Sequence, residues 1–467
     1  MFQAGRPFGT DAVKQFLSPL ALVVCAVFSF AFAAEAANPK GRLAAHVPGE
    51  FLVKVRSDGM GMMSVKAAEG VVRQALSAKS LGLAIESISP LRTDARIQKV
   101  KLTHAQSLEA ALNRLNANPR IEYAEPNYIY QISSYERAFN LPNDEMVGQL
   151  WGMKNTGQAD KSGQVGTPGA DINVAPLWEM GITGDRRITV AIIDTGVSWT
   201  HPDLVDNLYT NPGEIAGNGI DDDGNGYIDD VHGWNFEGKS NNSTDDHDHG
   251  SHCAGTIGGT GNNGIGVAGV NWKVSLMPLK FLSASGSGSL DDAVDAINYA
   301  TMMHVNVMSN SWGGGGFSQT MLDAITRAKD AGILFVAAAG NASSNNDATP
   351  TYPSNYVVDN VLSVGATDNR DTLASFSCFG KRTVHVAAPG NWILSSVKNG
   401  GYDLFRGTSM ATPHVAGIAA LLLSAHPEWG FAELKDRLIR SSPKLETLKR
   451  KVKSGGRVDA YNAMMGI

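Results

Sequence analysis

The chain has 467 residues and a formal net charge of −6, with 39 Lys plus Arg against 45 Asp plus Glu. That balance excludes a protein organised around a basic nucleic-acid face, and the length provides for two or three domains with substantial cores. Charged residues are only 18% of the chain and glycines number 51, which suits a compact α/β protein with many close backbone approaches.

The first 33 residues read as an export signal. Arg6 and Lys14 precede an apolar run over 16–32, and Ala31-Phe32-Ala33 offers a small-x-small cleavage site, with Ala34-Glu35-Ala36 as a second. An uncleaved membrane anchor is the alternative, but the run is short for a span. The expected location is therefore secreted, with the periplasm or cell surface also open. Cys25 leaves with the signal; Cys253 and Cys378 remain, and no spacing demands that they pair, so two buried thiols are expected.

Residues 34–135 form a small patterned unit. Positions 50–55 alternate after Pro48-Gly49 and predict a strand. A helix is expected over 65–76 and a strand over 97–102. Leu108, Ala111, Leu112 and Leu115 recur at helical spacing, stopped at Asn118-Pro119, and residues 121–126 predict a closing strand. The order strand–helix–strand–helix–strand suits a ferredoxin-like α+β domain. A polar passage over 131–145 is a linker and a place for cleavage.

Residues 136–467 carry a different pattern. The runs 188–193, 274–282, 305–308, 333–338 and 361–364 are continuously apolar, as parallel strands covered on both faces require. Helical periodicity over 290–303 and 320–331 separates them, so the fold class is α/β with a mainly parallel sheet flanked by helices. Ligands in such folds bind at the carboxyl ends of strands, where the polar motifs of this chain fall. Asp194 ends the run Val190-Ala191-Ile192-Ile193; it is either a turn residue or a buried carboxylate needing a partner. His249 and His252 lead a Gly/Ala-rich helix without the spacing of a zinc pair, and a histidine at a helix start suits a general base. Asn341 follows Ala338-Ala339-Gly340, as a turn residue or as an amide donor to an oxyanion. Ser409 lies at the first turn of an apolar helix, a position that serves a cap or a nucleophile. Pro413 is tolerable there, because the amides of a helix's first turn have no partner within it.

Together these motifs resemble the subtilisin-like serine proteases. The resemblance rests on Ile193-Asp194-Thr195-Gly196, His249-Gly250-Ser251-His252, Ala338-Ala339-Gly340-Asn341 and Gly407-Thr408-Ser409-Met410-Ala411-Thr412-Pro413, and it covers about 145–467. The order Asp, His, Ser along the chain is that family's known order. An α/β-hydrolase has a different order and needs glycine where Ala411 stands. The resemblance implies Ser409 as nucleophile, His249 as base, Asp194 as its orienting acid, and Asn341 with the Ser409 amide as the oxyanion hole, with Ser409 bonded to His249. It implies substrate-binding segments at Gly286, Gly288 and Leu290 and at Ser311, Trp312 and Gly313, and a cis proline at Tyr352-Pro353. Residues 34–135 become an inhibitory propeptide that assists folding and is removed by self-cleavage, leaving a monomer that acts on protein or peptide substrates. Ser251 stands where threonine is commoner, and Cys253 resembles a branch with a thiol beside the histidine, sensitive to mercurials. A catalytically silent binding homologue is the alternative, and the intact set of four residues speaks against it.

Asp221, Asp223, Asn225, Tyr227 and Asp229 alternate as in the opening of an EF-hand loop, with Gly226 at the sixth position. The twelfth position is His232 rather than Glu, so a loop-only calcium site is expected. The family resemblance implies a second calcium site from Asp203, Asn263, Ile265 and Val267. No acidic residue stands at Ala342 or Thr351, positions that resemble the family's pocket-lining ones, and the resemblance therefore implies an apolar or uncharged P1 side chain.

Overall fold

The computed structural model describes residues 46–57, 64–77, 84–91, 94–103, 108–128 and 141–467. The expected export signal and most of the linker lie outside these residues. The chain divides into two compact units, 1–136 and 137–467.

The first unit runs β1 (His46–Val55), α1 (Val65–Leu76), β2 (Ile85–Leu91), β3 (Asp94–Leu102), α2 (Leu108–Asn116) and β4 (Ile121–Tyr128). Its antiparallel sheet has the order β2-β3-β1-β4. Ser64 caps α1 by accepting the Ala67 amide, and α1 turns Ala68, Val72, Ala75 and Leu76 inward. α2 buries the expected Leu108, Ala111, Leu112 and Leu115. Both helices cover a core built on Phe51, Val53, Val55, Val100 and Leu102. The unit is thus a full β-α-β-β-α-β motif; the strand absent from the sequence reading is β2. Its residues Ile-Glu-Ser-Ile-Ser-Pro-Leu are half exposed or exposed throughout, as befits an edge strand with a proline, and carry no buried face to announce them.

The second unit opens with α3 (Ala175–Glu179), then β5 (Gly184–Asp194), β6 (Trp234–Asn235), α4 (His249–Gly258), β7 (Lys273–Lys280), α5 (Leu290–Met302), β8 (Val307–Asn310), α6 (Gln319–Asp330), β9 (Leu334–Ala338), β10 (Val361–Thr367) and β11 (Val386–Pro389). The hairpin β12 (Ile393–Val397) and β13 (Gly401–Phe405) precedes α7 (Thr408–Ala425), α8 (Phe431–Arg440) and α9 (Ala460–Met465). Seven strands in the order β11-β10-β9-β8-β5-β7-β6 form one parallel sheet. Side chains of β5 alternate between two cores. Val190 and Ile192 pack with α4 and α7, whereas Ala191 and Ile193 pack with α5 and α6. The continuous apolar runs are strands with both faces covered. Among the described residues α7 is long and apolar enough to cross a membrane, but 83% of it is buried inside this core. The fold class is that read from the sequence, α/β behind a small α+β domain.

Candidate active site

Asp194 is the last residue of β5 and His249 the first of α4, and His249 Nδ1 lies 2.7 Å from Asp194 Oδ1. The same oxygen accepts the Thr195 amide at 2.7 Å. Side-chain bonds beyond this pair hold the two elements together. Asp248 at the start of α4 has a left-handed backbone and does not cap the helix with its side chain. The first-turn amides are satisfied from elsewhere: Gly250 N–H donates to Thr195 Oγ1 (2.9 Å) and Ser251 N–H to Asp245 Oδ2 (2.9 Å). Thr195 Oγ1 donates in turn to Asp245 Oδ1 at 2.8 Å. The buried Lys280 ammonium donates to the carbonyls of Thr195 and Leu282 and to Asp246. Glycine is required where these turns meet, because a Cβ on Gly250 would stand 2.0 Å from the Gly196 carbonyl oxygen. Burial on its own would lower the affinity of His249 for a proton; the Asp194 charge and hydrogen bond, with Asp245 adding to them, carry the imidazole above its ordinary range.

Ser409 is the second residue of α7, so Pro413 lies inside the helix rather than in its first turn. Proline has no amide to give to the carbonyl four residues back, which is that of Ser409. That carbonyl instead accepts the Ser311 hydroxyl at 2.8 Å and the Cys253 thiol at 3.5 Å. The Ser409 hydroxyl donates to Ser311 O at 2.9 Å, and among the described residues no hydrogen bond joins it to His249. The expected Ser409–His249 contact is therefore absent from this structure, because the Ser311 carbonyl is the acceptor the hydroxyl takes. Such bonds are often open without a bound substrate. Asn341 Oδ1 accepts both the amide (2.8 Å) and hydroxyl (3.0 Å) of Thr408, which leaves the amide nitrogen of Asn341 as the end available to a ligand. Cys253 and Cys378 are both free and buried, and burial raises the Cys253 thiol well above its usual range.

Two depressions meet here. One, of about 200 Å³, is lined by Asn341, Ser409, Gly340, Ala342, Thr351 and Cys378 among others, and none of its lining residues is charged. The other, of about 500 Å³, is lined by Gly286, Gly288, Leu290, Trp312, Gly313, Phe281, Tyr352 and Tyr356 among others. Five of the six expected substrate-binding residues thus line the larger cleft, and the sixth, Ser311, contacts Ser409 instead. The Tyr352-Pro353 bond is cis.

The structure rearranges the acidic loop. Asp221 and Asp223 gather with Glu214, their ligand atoms within 4.8 Å of one another. Glu214 Oε1 accepts the amides of Asp222 and Asp223, while its Oε2 is buried without a partner. Asn225 turns its amide nitrogen to Asp223 and Asp230, and Tyr227 packs edge-on to Trp234 and Tyr299. Asp229 accepts the amides of Asn218 and Gly219. At the second location Asp203 accepts Asn263 Nδ2 (2.9 Å), the Val267 amide (2.8 Å) and the Tyr402 hydroxyl (2.8 Å), and Asn263 Oδ1 accepts the Ile265 amide (2.8 Å). Asp144 joins them: burial, with Asp203 adding to it, raises its carboxyl, and its Oδ1 is buried and unpartnered. Hard oxygen donors with an orphaned buried carboxylate oxygen at each location fit a divalent cation such as calcium.

Comparison with known proteins identifies the family. Residues 185–459 match the model of the subtilase family, and residues 33–127 match that of the fervidolysin N-terminal prodomain. A thermophilic serine proteinase from Bacillus sp. (strain AK1) is 33% identical over 367 residues, covering 78% of both chains. Subtilisin-like protease 1 of Plasmodium berghei (strain Anka) is 33% identical over 351 residues, 71% of this chain and 56% of that protein. Subtilisin amylosacchariticus of Bacillus subtilis subsp. amylosacchariticus is 33% identical over 331 residues, 71% and 72% of the two chains. With a family match over most of the parallel-sheet unit and a relative matched along 78% of both lengths, the chain belongs to the subtilase family, as a serine endopeptidase preceded by a prodomain.

Proposed function

We propose that this endopeptidase works through Ser409, His249 and Asp194. The observation that carries the reading is the 2.7 Å His249–Asp194 bond beside an uncharged pocket whose wall includes both Ser409 and Asn341. A peptide entering the cleft draws the Ser409 hydroxyl off the Ser311 carbonyl and onto His249 Nε2. Oγ then attacks the scissile carbonyl as the imidazole takes its proton, and Asp194 holds the tautomer and supports the imidazolium. The Asn341 amide nitrogen and the Ser409 N–H receive the developing oxyanion. The acyl-enzyme forms as His249 protonates the leaving amine, and water reverses the sequence. Labelling by a fluorophosphonate tests this. Wild type should label and Ser409→Ala should not; an unlabelled mature wild type sinks the triad.

Further readings rest on the same frame. The uncharged pocket supports an uncharged P1 side chain, and a peptide-library profile dominated by Lys or Arg at P1 would refute it. Glu214, Asp221 and Asp223 would hold one calcium ion, and Asp203 with Asp144 a second. Bound there, calcium would neutralise clustered carboxylates and brace the loops. The export signal over 1–33 supports secretion, and residues 34–135 a propeptide that guides folding, inhibits, and is removed by self-cleavage within 131–145. The mature product, 136–467 in outline, would act as a monomer. Mass spectrometry of the secreted protein reads the propeptide cleavage point; a mature N-terminus upstream of the prodomain would contradict the zymogen reading.

A further inference from the structure

Pro413 removes the one amide that would satisfy the carbonyl of Ser409 from within α7. That carbonyl is nonetheless bonded, and its donors come from two other elements. Ser311, just beyond β8, gives its hydroxyl at 2.8 Å, and Cys253, one turn past His249 on α4, gives its thiol at 3.5 Å. Ser311 is 4% exposed and Cys253 0%, so water does not compete for the carbonyl through either side chain. Ser311 also receives the Ser409 hydroxyl on its own carbonyl, at 2.9 Å. The two serines therefore exchange hydroxyl for carbonyl in both directions. An ordinary helical residue at 413 would make the first of these bonds unnecessary.

We propose that Ser311 is a positioning residue whose hydroxyl replaces the helix bond deleted by Pro413 and thereby fixes the backbone of Ser409. The substitution of an external donor for an internal one ties the start of α7 to the end of β8 at the residue that must aim its hydroxyl. Cys253 shares the task with a weaker donor and joins α4 to the same carbonyl. The inference rests on Ser409 being the nucleophile.

The test is a pair of Ser311→Ala comparisons made in two backgrounds, wild type and Pro413→Ala. In the wild-type background kcat should fall by roughly ten- to a hundredfold, the scale of a misplaced reacting group, with KM little changed. Ser311→Thr, which keeps the hydroxyl, should recover most of the loss. In the Pro413→Ala background the new amide of residue 413 donates to Ser409 O, so Ser311→Ala should then cost less than about threefold, a departure from additivity expected only of residues that share a partner. Equal losses in both backgrounds, or no loss in the first, would overturn the proposal. Should Ser311→Ala fail to accumulate, Ser311→Cys read in the same two backgrounds decides by the same comparison. Fluorophosphonate labelling of wild type is read first. A wild type that does not label refutes Ser409 as nucleophile, whereas labelling with additive losses refutes only the role of Ser311.

Discussion

Replacing Asp194 by Asn removes the charge behind His249, and the structure sets how much else it removes. Asp194 Oδ1 accepts two donors, His249 Nδ1 and the Thr195 amide, whereas Oδ2 is buried with no partner. In Asp194→Asn the Thr195 amide therefore keeps an oxygen at the Oδ1 position and sends the new NH₂ to the Oδ2 position. The histidine tautomer survives, with its proton still on Nδ1. What is lost is a charge-assisted hydrogen bond, worth about 3 kcal/mol at the upper end, or roughly two decades of rate. An amide turned the other way would force the proton onto Nε2 and cost about 10⁴-fold. The acid limb of kcat/KM should also move to lower pH, because Asp194 raises the His249 imidazole. The assay is a pH profile on a peptide amide with the active sites titrated. A loss of about 10⁴-fold or more would show that Thr195 does not orient residue 194.

Acidification should destabilise the fold through its buried histidines. Burial holds His252, His385 and His414 down to about 3, about 3 and about 4. Unfolded histidines take protons near 6.5, so below that pH the unfolded chain binds more protons and this stability, complete above it, drains away as pH falls. His414 alone accounts for about 2 kcal/mol at about pH 5, so denaturation of inactive Ser409→Ala between about pH 7 and about pH 5 should show a smaller drop when His414→Gln is added. Chelation should lower the melting temperature of Ser409→Ala, by the equivalent of about 2.7 kcal/mol if calcium had stood a hundredfold above its Kd. The double variant Glu214→Gln/Asp223→Asn should lose part of that response; an undiminished response would remove the acidic loop as a calcium site. A small mercurial should inhibit slowly, since Cys253 is buried, and Cys253→Ser should abolish the effect while Cys378→Ser retains it.

The central strands were legible because burial on both faces of a parallel sheet leaves unbroken apolar runs, as in β5 and β9. The helices α2, α5 and α6 announced themselves by periodicity. The edge strand β2 did not, having no buried face, and β11, Val-Ala-Ala-Pro, has one β-branched residue and ends in proline. At the site, residues that end a strand or start a helix stood out, because Asp194 and Asn341 close apolar or small-residue runs and His249 opens one. Their supports were hidden. Asp245 reads as one acid among several before His249, and only the fold brings it to Thr195. Glu214 precedes the acidic run and joins it through loop closure, which no local spacing encodes. Asp144 falls in the polar linker by sequence, although the fold bonds it to the Asn262 amide at 2.7 Å and brings it within electrostatic reach of Asp203. The sequence does not reveal that Pro413 lies inside the helix, because helix starts are set by one or two residues of cap geometry, and α7 begins at Thr408.

The burial of α7 has a chronological consequence. The helix packs against α4 and against β5, β8, β9, β10 and β11, and β5 is complete at Asp194 whereas α7 begins only at Thr408. Contacts of such separation form late and slowly. Until the sheet is assembled, an 18-residue apolar segment has nowhere to hide, which makes the unfinished chain prone to self-association. Once enclosed, the helix can leave only by breaking its packing against α4 and one whole face of the sheet, so the lifetime of the folded protein is governed by an unfolding barrier. Ser409 rides on the first turn of this late arrival. The residue that would cleave peptides is thus brought to its partners only when nearly all of the chain around it has been made and folded.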